Sequence, residues 1–127
     1  MATIKSFTDL PQSKVLAEFL PLESADMRYA PIGDIHPWVW EGNPKLLETD
    51  STPCWSLAAL LKILPIKAYI KIDNVCCTLD ITRNTLDTWF VSYYNRSYGC
   101  SLATCTNKEL LDACYEMILK LHELKML

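Results

Sequence analysis

From Ile66 to Ile72, the apolar residues Ile66, Ala68, Ile70 and Ile72 alternate with Lys67, Tyr69 and Lys71. A two-residue period is what a β-strand needs to bury one face and wet the other. The stretch constrains its neighbours as well. Asp73 and Asn74 follow as a tight-turn pair, Val75 to Thr82 reads as a second strand, and after a turn at Arg83 and Asn84 a third runs from about Leu86 to Tyr94. Connections this short join antiparallel neighbours, so a three-stranded meander is expected.

Three helices are expected around it. The first starts at Thr8 or Asp9, tolerates Pro11 in its first turn, groups Leu16, Phe19 and Leu20 on one side and stops at Pro21. The second is capped by Thr52, has Pro53 at its first position, where the missing N–H costs nothing, and ends at Pro65. With Trp55, Leu57, Ala58, Leu60 and Leu61 it is apolar nearly all round, as a central core helix is. The third follows a capping box of Thr106 and Glu109, with Leu110, Cys114, Met117, Leu121 and Leu124 as its apolar stripe.

The intervening stretches are less regular. Met27 to Trp40 is read as two short strands turned by Gly33 and Asp34, with Pro31 and Pro37 confining any ladder to its edges, while Glu41–Ser51 is a polar connector and Asn95–Cys105 a loop. The fold class is therefore α+β: a mainly antiparallel sheet of three to five strands with three helices on one face, in the order α-β-β-α-β-β-β-α. At 127 residues, residues 1–127 are expected to form a single domain.

The apolar run from Trp55 to Pro65, broken by Ser56 and Lys62, is too short to span a bilayer, so no membrane partner is expected. No apolar segment follows the first lysine as in a secretory signal, and the expected location is the cytoplasm. The 6 cysteines are accordingly read as reduced thiols. A net charge of −3 argues against general nucleic-acid binding, which draws on cations that neutralise phosphates, but leaves room for a small nucleotide.

Catalytic motifs are weak. Cys54, placed near the start of the second helix, is a candidate nucleophile because a helix amino end favours a thiolate, although a buried cysteine accounts for it as well. Cys100 and Cys105 with Cys76, Cys77 or a histidine lack the paired spacing of a zinc site, and Asp34 with His36 reads equally as a turn and a surface residue. Asp73, Asp80 and Asp87, spaced by seven, imply no convergent carboxylate pair. The 3 glycines form no phosphate-cradling loop, and no cofactor or metal is expected.

The richest segment is WFVSYYNRSY, from Trp89 to Tyr98. Trp89, Tyr93, Tyr94 and Tyr98 offer π faces on which bases stack, Arg96 offers a guanidinium for phosphate, and Lys71 is a nearby cation of the same meander. These six residues are the candidate ligand-binding set. Ordinary sheet packing explains the same alternation, with Trp89, Val91 and Tyr93 on one face and Phe90 and Tyr94 on the other. Trp38 and Trp40, near Arg28, form a second aromatic pair suited to a core or to pairing between copies, so a homo-oligomer is compatible.

The segments IKSFTDL, QSKVLAEFLPLESADM, PCWSLAALLKILP and LDACYEMILKLHEL resemble a family of short uncharacterised proteins from gut Bacteroidales and their phages. The resemblance covers both ends and the central helix, not Arg28 to Ser51 or Lys67 to Thr106. It departs where similar proteins carry a proline shortly before the DAC segment and this chain has Glu109, Leu110 and Leu111. It brings no catalytic residue with it; it implies an accessory gene of a phage or mobile element, whose short products often bind a host factor.

The expectation is therefore a non-catalytic binding protein acting on a host factor, with sequestration of a nucleotide-derived immune signal as one form of counter-defence. Two alternatives stand beside it. One is a protein-interaction module that inhibits or recruits a host enzyme; the other is a small hydrolase using Cys54 or a carboxylate pair.

Overall fold

The computed structural model describes residues 4–29, 37–39, 51–71 and 74–127. The chain is an α+β protein with two antiparallel sheets, and its contacts divide it into two compact units, Ser6–Leu60 and Leu61–Leu127 with the first five residues. The Gly33–Asp34 turn, Asp34, His36, Trp40, most of the polar connector and Asp73 lie outside the described residues.

In the first unit, helix α1 (Leu10–Ala17) is closed by a capping box one residue inside the expected start. The Asp9 carboxylate accepts from the Gln12 N–H at 2.9 Å, and the Gln12 side chain accepts from the Asp9 N–H at 3.1 Å. Strands β1 (Met27–Tyr29), β2 (Trp38–Val39) and β3 (Thr52–Cys54) pair in the order β2-β1-β3, with Arg28 opposite both Trp38 and Pro53.

Strand β3 corrects one expectation, since Thr52 and Pro53 do not open a helix. Proline is tolerated there because β3 is an edge strand. Helix α2 (Leu57–Ile63) starts a turn later. Its cap is Ser56, whose Oγ accepts from the Ala59 N–H at 3.2 Å; Ser56 donates in turn from its N–H (2.9 Å) and hydroxyl to the Asp26 carboxylate.

In the second unit, β4 (Lys67–Ile70), β5 (Val75–Arg83), β6 (Trp89–Asn95) and β7 (Cys100–Asn107) form a four-stranded meander in sequence order. The first three strands are those expected. The fourth replaces the expected loop from Asn95 to Cys105: Gly99, at φ +64°, reverses the chain, and the Thr and Cys residues that follow pair with β6. Leu102 is the extra residue of a bulge between the Tyr93–Ala103 and Tyr94–Ser101 pairs.

Helix α3 (Leu110–Glu123) packs on β6 and β7. Thr106 belongs to β7, so the expected capping box does not form. Instead the Asn107 side chain accepts from the Glu109 N–H at 3.0 Å, and the Glu109 carboxylate accepts from the Lys5 N–H at 3.2 Å. Leu111, Cys114, Met117, Ile118 and Leu121 are fully buried, as are Val91 and Tyr93 on the sheet face that α3 covers. Observed order is α-β-β-β-α-β-β-β-β-α.

Candidate functional site

Alternation along β5 and β6 decides which side chains α3 covers. Cys77, Val91 and Tyr93 take the covered face, whereas Cys76, Thr78 and Asp80 take the other, together with Phe90, Ser92 and Tyr94. On this open face Thr78 stands opposite both Lys67 and Tyr94, Asp80 opposite Ser92, and Tyr69 opposite Cys76.

At the end of the sheet where β6 turns into β7, these residues line a groove of ≈ 360 Å³. Cys76, Thr78 and Asp80 come from β5, Tyr94 and Asn95 from β6, and Arg96 from the turn. Asn95 fixes that turn, donating from its side chain to the Cys76 carbonyl at 2.7 Å and accepting from the Tyr98 N–H at 2.9 Å. The Tyr94 hydroxyl lies over Gly99, 3.9 Å from where a Cβ would stand.

Among the described residues, Asp80 and Arg96 form no ion pair with each other or with any other side chain. A second, more apolar hollow of ≈ 260 Å³ at the β4 edge is lined by Pro65, Lys67, Tyr69, Lys71 and Met126.

The six sequence candidates separate. Tyr94 and Arg96 share the groove, exposed Tyr98 stands at its turn with 75% of its surface accessible, and Lys71 lines the neighbouring hollow. Tyr93 is a correction: it is fully buried, its hydroxyl donates to the Pro65 carbonyl at 2.6 Å, and burial pushes its pKa up, so it is a core residue and not a ligand contact. Trp89 is at the far end of β6, on the α3 side, opposite Arg83, whose guanidinium lies 5.7 Å from its ring centroid. Thr78, Asp80 and Asn95 are groove residues that aromatic content does not point to; the signal for Thr78 and Asp80 is the alternate spacing on β5.

Cys54 is not at a helix start. It is fully buried in a polar knot where its thiol donates to the Thr8 carbonyl at 3.4 Å, Thr8 and Ser13 hydroxyls meet at 2.7 Å, and Tyr29 donates to the same carbonyl at 2.7 Å. Burial pushes the thiol up, against smaller opposing hydrogen bonds from Thr8, Ser13 and Tyr29, which keeps it neutral rather than nucleophilic.

Arg28, only 2% exposed, donates to the Ser51 hydroxyl (2.6 Å) and carbonyl (2.8 Å), while its Nη1 has no partner among the described residues and burial lowers its pKa. Among the described residues no group of three or more His, Cys, Asp or Glu is placed to hold a metal ion. None of the described helices is long and apolar enough to cross a membrane. Comparison with known proteins finds no matching family model, no matching curated protein and no matching solved structure.

Proposed function

We propose that the chain is a non-catalytic binding protein whose groove takes a small ligand with a planar ring and an anionic group, of the nucleotide class. The observation that carries this reading is the meeting, in one groove of ≈ 360 Å³, of an accessible tyrosine face and a guanidinium with no carboxylate partner among the described residues. A ring stacks on Tyr94, and phosphate oxygens accept from Arg96, with Lys67 in the same cross-strand row adding positive charge. The volume is at the lower end of small-molecule sites, which suits a mononucleotide or one half of a dinucleotide.

The resemblance to short proteins of Bacteroidales and their phages supplies the setting: withholding a nucleotide-derived signal from a host defence. Because withholding needs affinity and no turnover, the buried, neutral Cys54 is consistent with it.

Thermal melts and calorimetric titration with linear and cyclic nucleotides test the reading. A ligand at a hundred times its Kd is expected to stabilise the fold by about 2.7 kcal/mol. No stabilisation and no heat with any member would remove the nucleotide reading. A protein partner is the second reading, favoured by Tyr98 and by Tyr69, half of whose surface is accessible. Pull-down from host lysate that is unchanged by Tyr94→Ala with Tyr98→Ala would count against it.

A further inference from the structure

The order of three side chains along the groove points to one base, an inference that rests on reading the groove as a nucleotide site. Asp80 faces Ser92; two residues on, Thr78 faces Tyr94; two residues beyond Tyr94 the chain reaches Arg96. Each two-residue step along a strand is about 7 Å. The Asp80 and Tyr94 rows are therefore about 7 Å apart, and Arg96 follows in the turn just beyond the end of β6. A nucleoside monophosphate has the same order from end to end: a hydrogen-bonding base edge, a ring, and a phosphate.

Asp80 then becomes the selective element. A carboxylate is an acceptor at both oxygens and is best satisfied by two parallel N–H donors. Guanine offers that pair in its N1–H and 2-amino group. Adenine and cytosine place an acceptor nitrogen beside their amino group, and uracil flanks its single N–H with two carbonyls, so each would set lone pairs against the carboxylate. A ligand that was only anionic would be repelled by Asp80, whereas one with donors at one end and phosphate at the other complements both charges.

We infer that the groove takes a guanine nucleotide, with the base on the Tyr94 ring, its N1–H and 2-amino group donating to Asp80, and its phosphate on Arg96. The test is calorimetric titration of the wild type and Asp80→Asn with the 5′-monophosphates of guanosine, inosine, adenosine, cytidine and uridine. Guanosine monophosphate is expected to bind about ten- to a hundredfold tighter than the adenosine, cytidine and uridine compounds, in line with what one bidentate base contact discriminates. Inosine monophosphate, lacking the 2-amino group, is expected between them. Asp80→Asn removes the preference while its melting temperature stays at the wild-type value.

Equal binding of all five by the wild type, or a guanine preference that survives Asp80→Asn, overturns the inference and leaves the nucleotide reading standing. Binding of none of them overturns both. The wild-type panel decides the base whether or not the variant folds.

Discussion

Thr78 on β5 stands directly opposite Tyr94 on β6, on the sheet face that α3 leaves open. Tyr94 lines the groove there, while its neighbour Tyr93, one residue earlier, points into the core.

That division predicts opposite consequences for two adjacent tyrosines. Tyr94→Ala removes the stacking face and should weaken ligand binding by about 1–3 kcal/mol, roughly five- to more than a hundredfold, with little change in stability. Tyr93→Phe deletes the donor to the half-buried Pro65 carbonyl and should cost about 0.5–1.5 kcal/mol of stability without altering affinity. Paired calorimetry and thermal melts on the two variants check this.

The start of α2 yields a second prediction. Asp26→Ala or Ser56→Ala breaks the cap formed by these residues and should destabilise the fold by about 1 kcal/mol. Thr52→Ala, in a strand and away from the helix end, should cost less. Chemical denaturation of the three variants separates a helix starting at Leu57 from one starting at Pro53.

Stability should also fall in alkali. Burial, aided by Cys54, raises the Tyr29 pKa from 10.0 to about 12, and burial, aided by Cys105, raises that of Cys114 from 9.0 to about 12; Cys54, Cys77, Cys105 and Tyr93 shift the same way. Each folded-state pKa lies above its unfolded value, so the unfolded chain releases protons first. The contribution is fully present below pH 9 and is lost as pH rises from about 9 to about 12. Denaturation midpoints measured from pH 7 to 11 should hold level and then decline; a rise across pH 9–11 would contradict the burial of these groups.

Thiol chemistry gives a fourth prediction. All the cysteines are free, but Cys54, Cys77 and Cys114 are buried, while Cys76, Cys100 and Cys105 are half-buried. Under native conditions a thiol reagent should label Cys54 only at the rate of unfolding, and mass spectrometry of labelled peptides over time should place it among the slow sites. Rapid labelling of Cys54 would mean that its knot with Thr8 and Tyr29 is open.

Much of this was legible in the sequence. The alternation around Ala68 and the turn at Asn84 mark β4 to β6, because a sheet with one covered face writes its period into the chain. The start of α2 is not legible in the sequence because Pro53 suits a first helical turn and an edge strand alike, and only pairing with β1 decides between them. Strand β7 was missed because Cys100–Asn107 offers small polar residues and a bulge at Leu102 that breaks the alternation.

For the site, adjacent Tyr93 and Tyr94 have the same chemistry, and what separates them is which face α3 covers. Asp80 joins Tyr94 and Arg96 only through the β5–β6 register, set by the Asn84–Thr88 turn. There the Asn84 side chain accepts from the Leu86 and Thr88 N–H groups at 3.0 and 2.9 Å, and Asp87 takes φ +63°.

Backbone amide shift mapping by NMR, with guanosine monophosphate titrated into isotope-labelled protein, addresses the groove directly. Saturable shifts concentrated at Thr78, Asp80, Tyr94 and Arg96, and abolished in Arg96→Ala, are the expected result. Shifts confined to other parts of the chain, or none at millimolar ligand, would contradict a nucleotide site between β5 and the β6–β7 turn.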